Sequence, residues 1–200
     1  MRSINPVLFV LVLFTAGFVA AYSLRFGQET AGTQGKVLIG GPFSLVDTDG
    51  KRVTDKDFRG KLMLVFFGYM HCPDVCPTEL QNMAEVLDKL GPDADQVAPI
   101  FISVDPNRDT PEALSSYVKN FSPRIIGLTG SADEVASAAK AYRVYFRRAE
   151  GSEENYTVDH SVFVYLMDRK GEYLSHFAFN APTDSVASAI KKQILGDKSA

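Results

Sequence analysis

Apolar residues fall in two rhythms along this chain. Leu80, Met83, Ala84, Leu87 and Leu90 recur at the spacing of one helix face, which predicts a helix over Pro77–Leu90. Gly91 and Pro92 supply its stop signal. Further helices are predicted over Pro111–Asn120, Ala132–Tyr142 and Asp184–Leu195. Thr110 is placed to cap the first of these, with Pro111 at its first position. Leu62–Phe67 and Val97–Val104 are continuous apolar runs, as strands buried on both faces should be. Ile125–Leu128 is a shorter apolar segment. Phe43–Val46 and Arg52-Val53 flank Asp47-Thr48-Asp49-Gly50, a hairpin turn signal. Ser161–Met167 and Tyr173–Phe179 flank a second one, Asp168–Gly171. Alternating strands and helices that end in an antiparallel hairpin predict an α/β fold with a mixed sheet. The order is that of a thioredoxin-like fold with an N-terminal β-hairpin and an inserted hairpin.

One segment has neither rhythm. Residues 6–23 carry no charge and are apolar on every face, with Arg2 before them and Arg25 after. A helix packed on the core of a domain this size would show a polar side. The length fits a short transmembrane helix and also a long signal-peptide core, and Val19-Ala20-Ala21 resembles a cleavage site. An uncleaved anchor is the favoured reading, with residues 1–5 cytoplasmic and the long C-terminal part exported. Residues 24–40 are rich in Gly, Gln and Thr and read as a linker, a dozen or so extended residues of which span at most roughly 40 Å. Residues 41–197 then form the folded domain.

Composition narrows the function classes. Hydrophobic residues make up 46% and charged residues 22%, so the chain can build a core and global disorder is excluded. The net charge of −3 and the absence of a clustered basic face argue against nucleic acid as a partner. The doublets Arg147-Arg148 and Lys191-Lys192 read as solvated surface.

The two cysteines, Cys72 and Cys76, lie in one short window. A disulfide there would close almost no loop and contribute little as a staple. The pair points instead to metal or redox chemistry. Leu64–Pro77 runs off a predicted buried strand into a helix, where α/β folds place their ligands. Pro77 suits the first helical position, which puts Cys76 at the cap, where free N–H groups favour a thiolate. Two thiolates suit Cu(I), and also zinc, better than hard cations. Structural zinc wants four protein ligands, and there is no third cysteine. Two sulfurs and one imidazole would suit copper.

Three histidines compete for that third place. His71 adjoins Cys72, a position that points it away, and His176 alternates within a strand as a surface or packing residue. His160 enters a hairpin strand after the polar loop 150–155. On spacing alone it stands equally as a third donor and as a satisfied structural histidine. A thiol–disulfide oxidoreductase or peroxidase using Cys72 and Cys76 as a redox pair is the enzymatic alternative. It is weakened by three intervening residues where such motifs carry two.

The chain resembles the Sco/SenC family of copper proteins over roughly residues 37–195. The likeness rests on Phe66-Phe67-Gly68-Tyr69 leading into Cys72-Pro73-Asp74-Val75-Cys76-Pro77, and on Ser103–Pro111. Tyr142-Arg143-Val144-Tyr145 and Val158-Asp159-His160-Ser161 extend it. The resemblance implies that Cys72, Cys76 and His160 bind one copper ion, as Cu(I) or Cu(II). It also implies a metallochaperone that serves the binuclear CuA centre of cytochrome c oxidase subunit II, by copper delivery or by reduction of target cysteines. A periplasmic copper donor or thiol reductant would then be a further partner. The N-terminal segment lacks the Arg- and Ser-rich look of a transit peptide, which favours a bacterial inner membrane with a periplasmic domain. The mitochondrial inner membrane, facing the intermembrane space, is the alternative. The segment Asp105–Pro111 reads as a turn and helix cap. Asp74 reads as an exposed loop carboxylate, and Met83 as core.

Overall fold

The computed structural model describes residues 38–149, 151–152 and 155–197. The predicted anchor, residues 6–23, and nearly all of the linker lie outside them. Among the described residues no helix is long and apolar enough to cross a membrane.

A seven-stranded mixed sheet organises the domain. Strands β1 (Ser44–Asp47) and β2 (Arg52–Thr54) form the N-terminal hairpin. They are followed by β3 (Leu62–Gly68) and β4 (Val97–Ser103), each buried along its whole length. Strand β5 is Ile126–Thr129, β8 is Phe163–Met167 and β9 is Tyr173–Ala178. The spatial order is β2-β1-β5-β4-β3-β8-β9. The three inner strands β5, β4 and β3 run parallel, and β1 and β8 join them antiparallel. Strands at the centre have neighbours on both edges and cover on both faces, which is why Leu62–Phe67 is unbroken apolar sequence.

Four helices cover the sheet. Helix α1 spans Val75–Leu90, α2 Pro111–Lys119, α3 Ala132–Ala141 and α4 Thr183–Asp197. Helix α1 buries Leu80, Met83, Ala84, Leu87 and Leu90, the face predicted from spacing. Helix α1 packs on α4, while α2 lies on β5 and α3 on β1. Gly91 ends α1 with φ +57°, its N–H donating to the Asp88 and Leu87 carbonyls, where a Cβ would be strained. Thr110 caps α2 by accepting the Ala113 N–H, as predicted. Ser131 and Glu134 form a capping box on α3.

Two differences from the sequence reading bear on the site. Helix α1 starts at Val75, two residues before Pro77. Proline is tolerated there because the first-turn N–H groups have no partner within the helix. The chain around His160 also forms its own hairpin. Strands β6 (Phe146–Arg148) and β7 (Val158–His160) pair antiparallel in a separate two-stranded sheet, and β8 begins only at Phe163. Three-residue strands with a polar loop between them leave almost no alternation to read.

Candidate metal centre

Strand β3 delivers the cysteine loop to the edge of the core. Gly68 ends the strand, and its carbonyl accepts the Val104 N–H at 2.8 Å. A Cβ at Gly68 would lie 2.8 Å from Cys76 Sγ and 2.8 Å from the Phe101 ring, so a side chain there would displace the sulfur. Cys76 sits inside the first turn of α1 and is fully buried, while Cys72 precedes the helix and keeps 9% of its surface. The backbone N–H groups of Asp74 and Cys76 point at the Cys72 sulfur. The helix end therefore serves Cys72, not Cys76 as the expected cap position had implied.

The third donor arrives from the separate hairpin. His160 ends β7 opposite Phe146. Its Nε2 lies 3.4 Å from Cys76 Sγ, and its Nδ1 lies 3.0 Å from the Ser161 carbonyl oxygen. A carbonyl only accepts, so the proton sits on Nδ1 and the Nε2 lone pair faces the sulfurs. The Tyr69 ring meets the imidazole edge-on at 5.8 Å, and the Phe66 ring lies 6.2 Å away. The donor atoms of Cys72, Cys76 and His160 all lie within 4.8 Å of one another. Both cysteines are free thiols.

The two sulfurs share one proton. The Cys76 thiol donates to Cys72 and holds the Cys72 thiol well below the usual range, against the cost of burial. The two backbone N–H groups add to this. Cys76 is pushed up correspondingly, by its bond to the Cys72 thiolate and by burial. The dithiol thus ionises as a pair, with one negative charge centred on the outer sulfur. Burial pushes the Tyr69 and Tyr117 hydroxyls up, and the charge of the nearby cysteines acts in the same direction.

The other sequence candidates fall as follows. His71 is exposed and turned from the sulfurs, its Nδ1 lying 3.7 Å from Asp109 Oδ1. His176 is exposed, packs against Phe163 and accepts from or donates to the Tyr173 hydroxyl at 2.6 Å. Met83 is core and Asp74 is exposed. Arg147 is solvated surface and pairs with Asp159 at 3.5 Å. Arg148 is exposed as well, and its guanidinium stacks on the Tyr156 ring at 3.9 Å.

The turn after β4 does more than cap a helix. Asp109 is fully buried and its Oδ2 accepts both the Met70 N–H at 3.0 Å and the Ser103 hydroxyl at 2.6 Å. It thereby ties down the cysteine loop. Burial raises its pKa, outweighing those two bonds. Asp105 is also buried and accepts from Tyr156 and Arg108. Tyr156 carries no signal in the sequence, because its partners lie far away along the chain.

Two soft sulfurs and an imidazole fit a monovalent copper ion and suit hard cations poorly. Among the described residues this is the one cluster of three such donors.

Several known proteins and solved structures resemble this chain. A family model described as SCO1/SenC matches residues 31–195. The human mitochondrial SCO1 homolog is 48% identical over 162 residues, covering 78% of this chain and 53% of that protein. The chain spans about half the length of the curated relatives it matches. A crystal structure of Arabidopsis thaliana ScoI with copper bound superposes with a TM-score of 0.74 at 45% identity, covering 79% of this chain and 99% of that one. The structure of BsSco, a Sco-family cytochrome c oxidase assembly protein described with a disulfide switch, gives 0.64 at 26% identity, covering 80% and 96%. The mixed α/β fold is thus that of the solved Sco proteins, and the chain belongs to the SCO1/SenC family.

Proposed function

We propose that this chain is a copper metallochaperone that assists assembly of the CuA centre of cytochrome c oxidase subunit II. One observation carries the reading: Cys72, Cys76 and His160 bring two sulfurs and a correctly oriented imidazole nitrogen within 4.8 Å. Copper is the cargo. Cys72 and Cys76 supply two thiolates and His160 a neutral nitrogen, so uptake of one Cu(I) releases the shared thiol proton. Three donors leave the ion open to a fourth. A thiolate from the acceptor protein would enter beside Cys72, the more exposed sulfur, and ligand exchange would follow. The copper-bound Arabidopsis relative and the oxidase-assembly description of BsSco support this reading.

Reduction of target cysteines is a second reading, and the asymmetry of the pair favours it. The Cys72 thiolate would attack a target disulfide. Cys76 would then displace the mixed disulfide, leaving a Cys72–Cys76 bond and two reduced target thiols. Reduction and loading exclude one another within a single cycle, because the intramolecular disulfide removes both thiolates and must be re-reduced by a thiol reductant before copper can bind. The reading further sets residues 6–23 as a single-pass anchor, 24–40 as the linker and 41–197 as the periplasmic domain of a bacterial inner-membrane protein. A copper donor or thiol reductant in the same compartment would recharge it.

Anaerobic titration of the reduced protein with Cu(I), against a chromophoric chelator, tests the site. One equivalent should bind to the wild type, none to the oxidised dithiol, and His160→Ala should bind with lower affinity and an altered spectrum. Equal affinity and an identical spectrum in His160→Ala would overturn the three-donor site. Loss of the CuA signal in cells carrying Cys72→Ser, with recovery on re-expression of the wild type, tests the assembly role.

A further inference from the structure

The hairpin β6–β7 cannot hold its own position. A two-stranded hairpin is marginal alone in water, and here each strand has three residues. Yet the hairpin must hold His160 Nε2 at 3.4 Å from a sulfur carried by a helix of the main body. Something outside the hairpin has to fix its position.

Tyr69 meets the Val158 backbone at one point, and the second fixed point is Tyr156, four residues before His160. Its side chain is buried, and its hydroxyl donates to Asp105 Oδ1 at 2.6 Å. The other oxygen of Asp105 accepts the Arg108 Nε–H at 2.6 Å. The Arg108 guanidinium then lies 3.6 Å from the centre of the Tyr156 ring, and Arg148 lies 3.9 Å from it. Arg108 also faces the Tyr69 ring at 6.0 Å, and Tyr69 packs edge-on against the His160 imidazole. Arg108 is thus in contact with the hairpin and within cation–π range of the start of the cysteine loop. A planar guanidinium suits this place because it can bond a carboxylate in its plane and stack on a ring by its face. An ammonium can do only part of this.

We propose that Arg108 is a positioning residue of the donor set, locking the hairpin that carries His160 to the loop that carries Cys72 by way of Tyr156 and Tyr69. The inference rests on the copper reading of Cys72, Cys76 and His160. It predicts that Arg108 acts on the metal only through the histidine. Loss of Arg108 lets the hairpin drift, so the imidazole contributes less while the two sulfurs remain in place.

The test is a double-mutant cycle in Cu(I) affinity, measured anaerobically against a chromophoric chelator. Arg108→Leu should weaken binding about tenfold, as loss of an outer-shell partner does. In a His160→Ala background the same substitution should cause no further loss. Copper K-edge X-ray absorption of Arg108→Leu should show less nitrogen scattering than the wild type. Removing Arg108 also strips Asp105 of its cation, which can unfold the domain. Tyr156→Leu leaves that ion pair intact while cutting the tie through Asp105 and Arg108, and should give the same pattern. Equal losses with and without His160 in both variants would overturn the proposal, as would wild-type affinity with unchanged nitrogen scattering. Should His160→Ala alone bind as tightly as wild type, the three-donor site fails and the role of Arg108 fails with it. That outcome is visible in the single variant before any cycle is closed.

Discussion

His160 Nε2 stands 3.4 Å from Cys76 Sγ, although 84 residues separate the two in sequence. The contact depends on the Ser161 carbonyl, which holds the proton on Nδ1 and leaves Nε2 as the donor. His160→Ala should therefore weaken Cu(I) binding by at least the roughly 10–100-fold that outer-shell losses cause. His160→Gln, which offers no equivalent nitrogen lone pair, should not restore it. Competition titration with a Cu(I) chelator measures both.

The dithiol should have a split titration. Cys72 is held below the usual thiol range and Cys76 above it. Cys72 should react with iodoacetamide at pH 6, where an ordinary thiol of pKa about 8.5 is almost inert. Cys76 should stay unmodified. Peptide mapping by mass spectrometry distinguishes them, and equal labelling of both at pH 8 only would contradict the asymmetry.

Stability should follow the same split with opposite signs. A lowered folded pKa contributes stability that is present above the unfolded thiol value and is lost as pH falls toward the folded one. A raised folded pKa acts in reverse, so Cys76 costs stability once the unfolded thiol ionises. Wild type minus Cys72→Ser should thus rise with pH from acid toward about pH 8.5. Wild type minus Cys76→Ser should fall at higher pH. Urea melts of reduced, metal-free protein at a series of pH values would show either slope.

Gly68 should not tolerate a side chain. Its Cβ would meet both Cys76 Sγ and Phe101 at 2.8 Å, inside a core with no room to yield. Gly68→Ala should cost about 1–3 kcal/mol, the usual range for overpacking. It should also weaken Cu(I) binding, because Cys76 Sγ is one of the two atoms that must give way. Thermal melts and chelator competition on the same sample read the two effects.

Asp109→Ala should destabilise the domain by about 1–3 kcal/mol, because it leaves the Met70 N–H and the Ser103 hydroxyl buried without their acceptor. Asp109→Asn keeps one oxygen acceptor and should cost less. Hydrogen exchange at the Met70 amide, faster in Asp109→Ala than in wild type, would tie the loss to this bond.

Much of the architecture was legible in the chain. The apolar face of α1, the unbroken runs of β3 and β4, the two hairpin turns and the Thr110 cap all follow local rules that neighbours in sequence obey. The cysteine pair announced chemistry through its spacing alone. Elsewhere local signals compete. Pro77 looked like a helix start and is tolerated inside the first turn, which moved the helix end from Cys76 to Cys72. Strands β6 and β7 were missed as a pair because three residues are too few to show alternation.

Local pattern settles the order of the helices and main-sheet strands, the buried strands and the presence of a soft, two-sulfur site at the end of β3. It left His160 balanced between a ligand and an ordinary structural histidine until family resemblance tipped it. Only the tertiary structure decided that its Nε2 faces Cys76, that Asp109 holds the cysteine loop and that Tyr156 sits between Arg108 and Arg148. The physical reason is the range of the forces. Helix and strand patterns arise between residues a few positions apart, whereas each of these contacts joins segments that meet only when the sheet and the hairpin have folded.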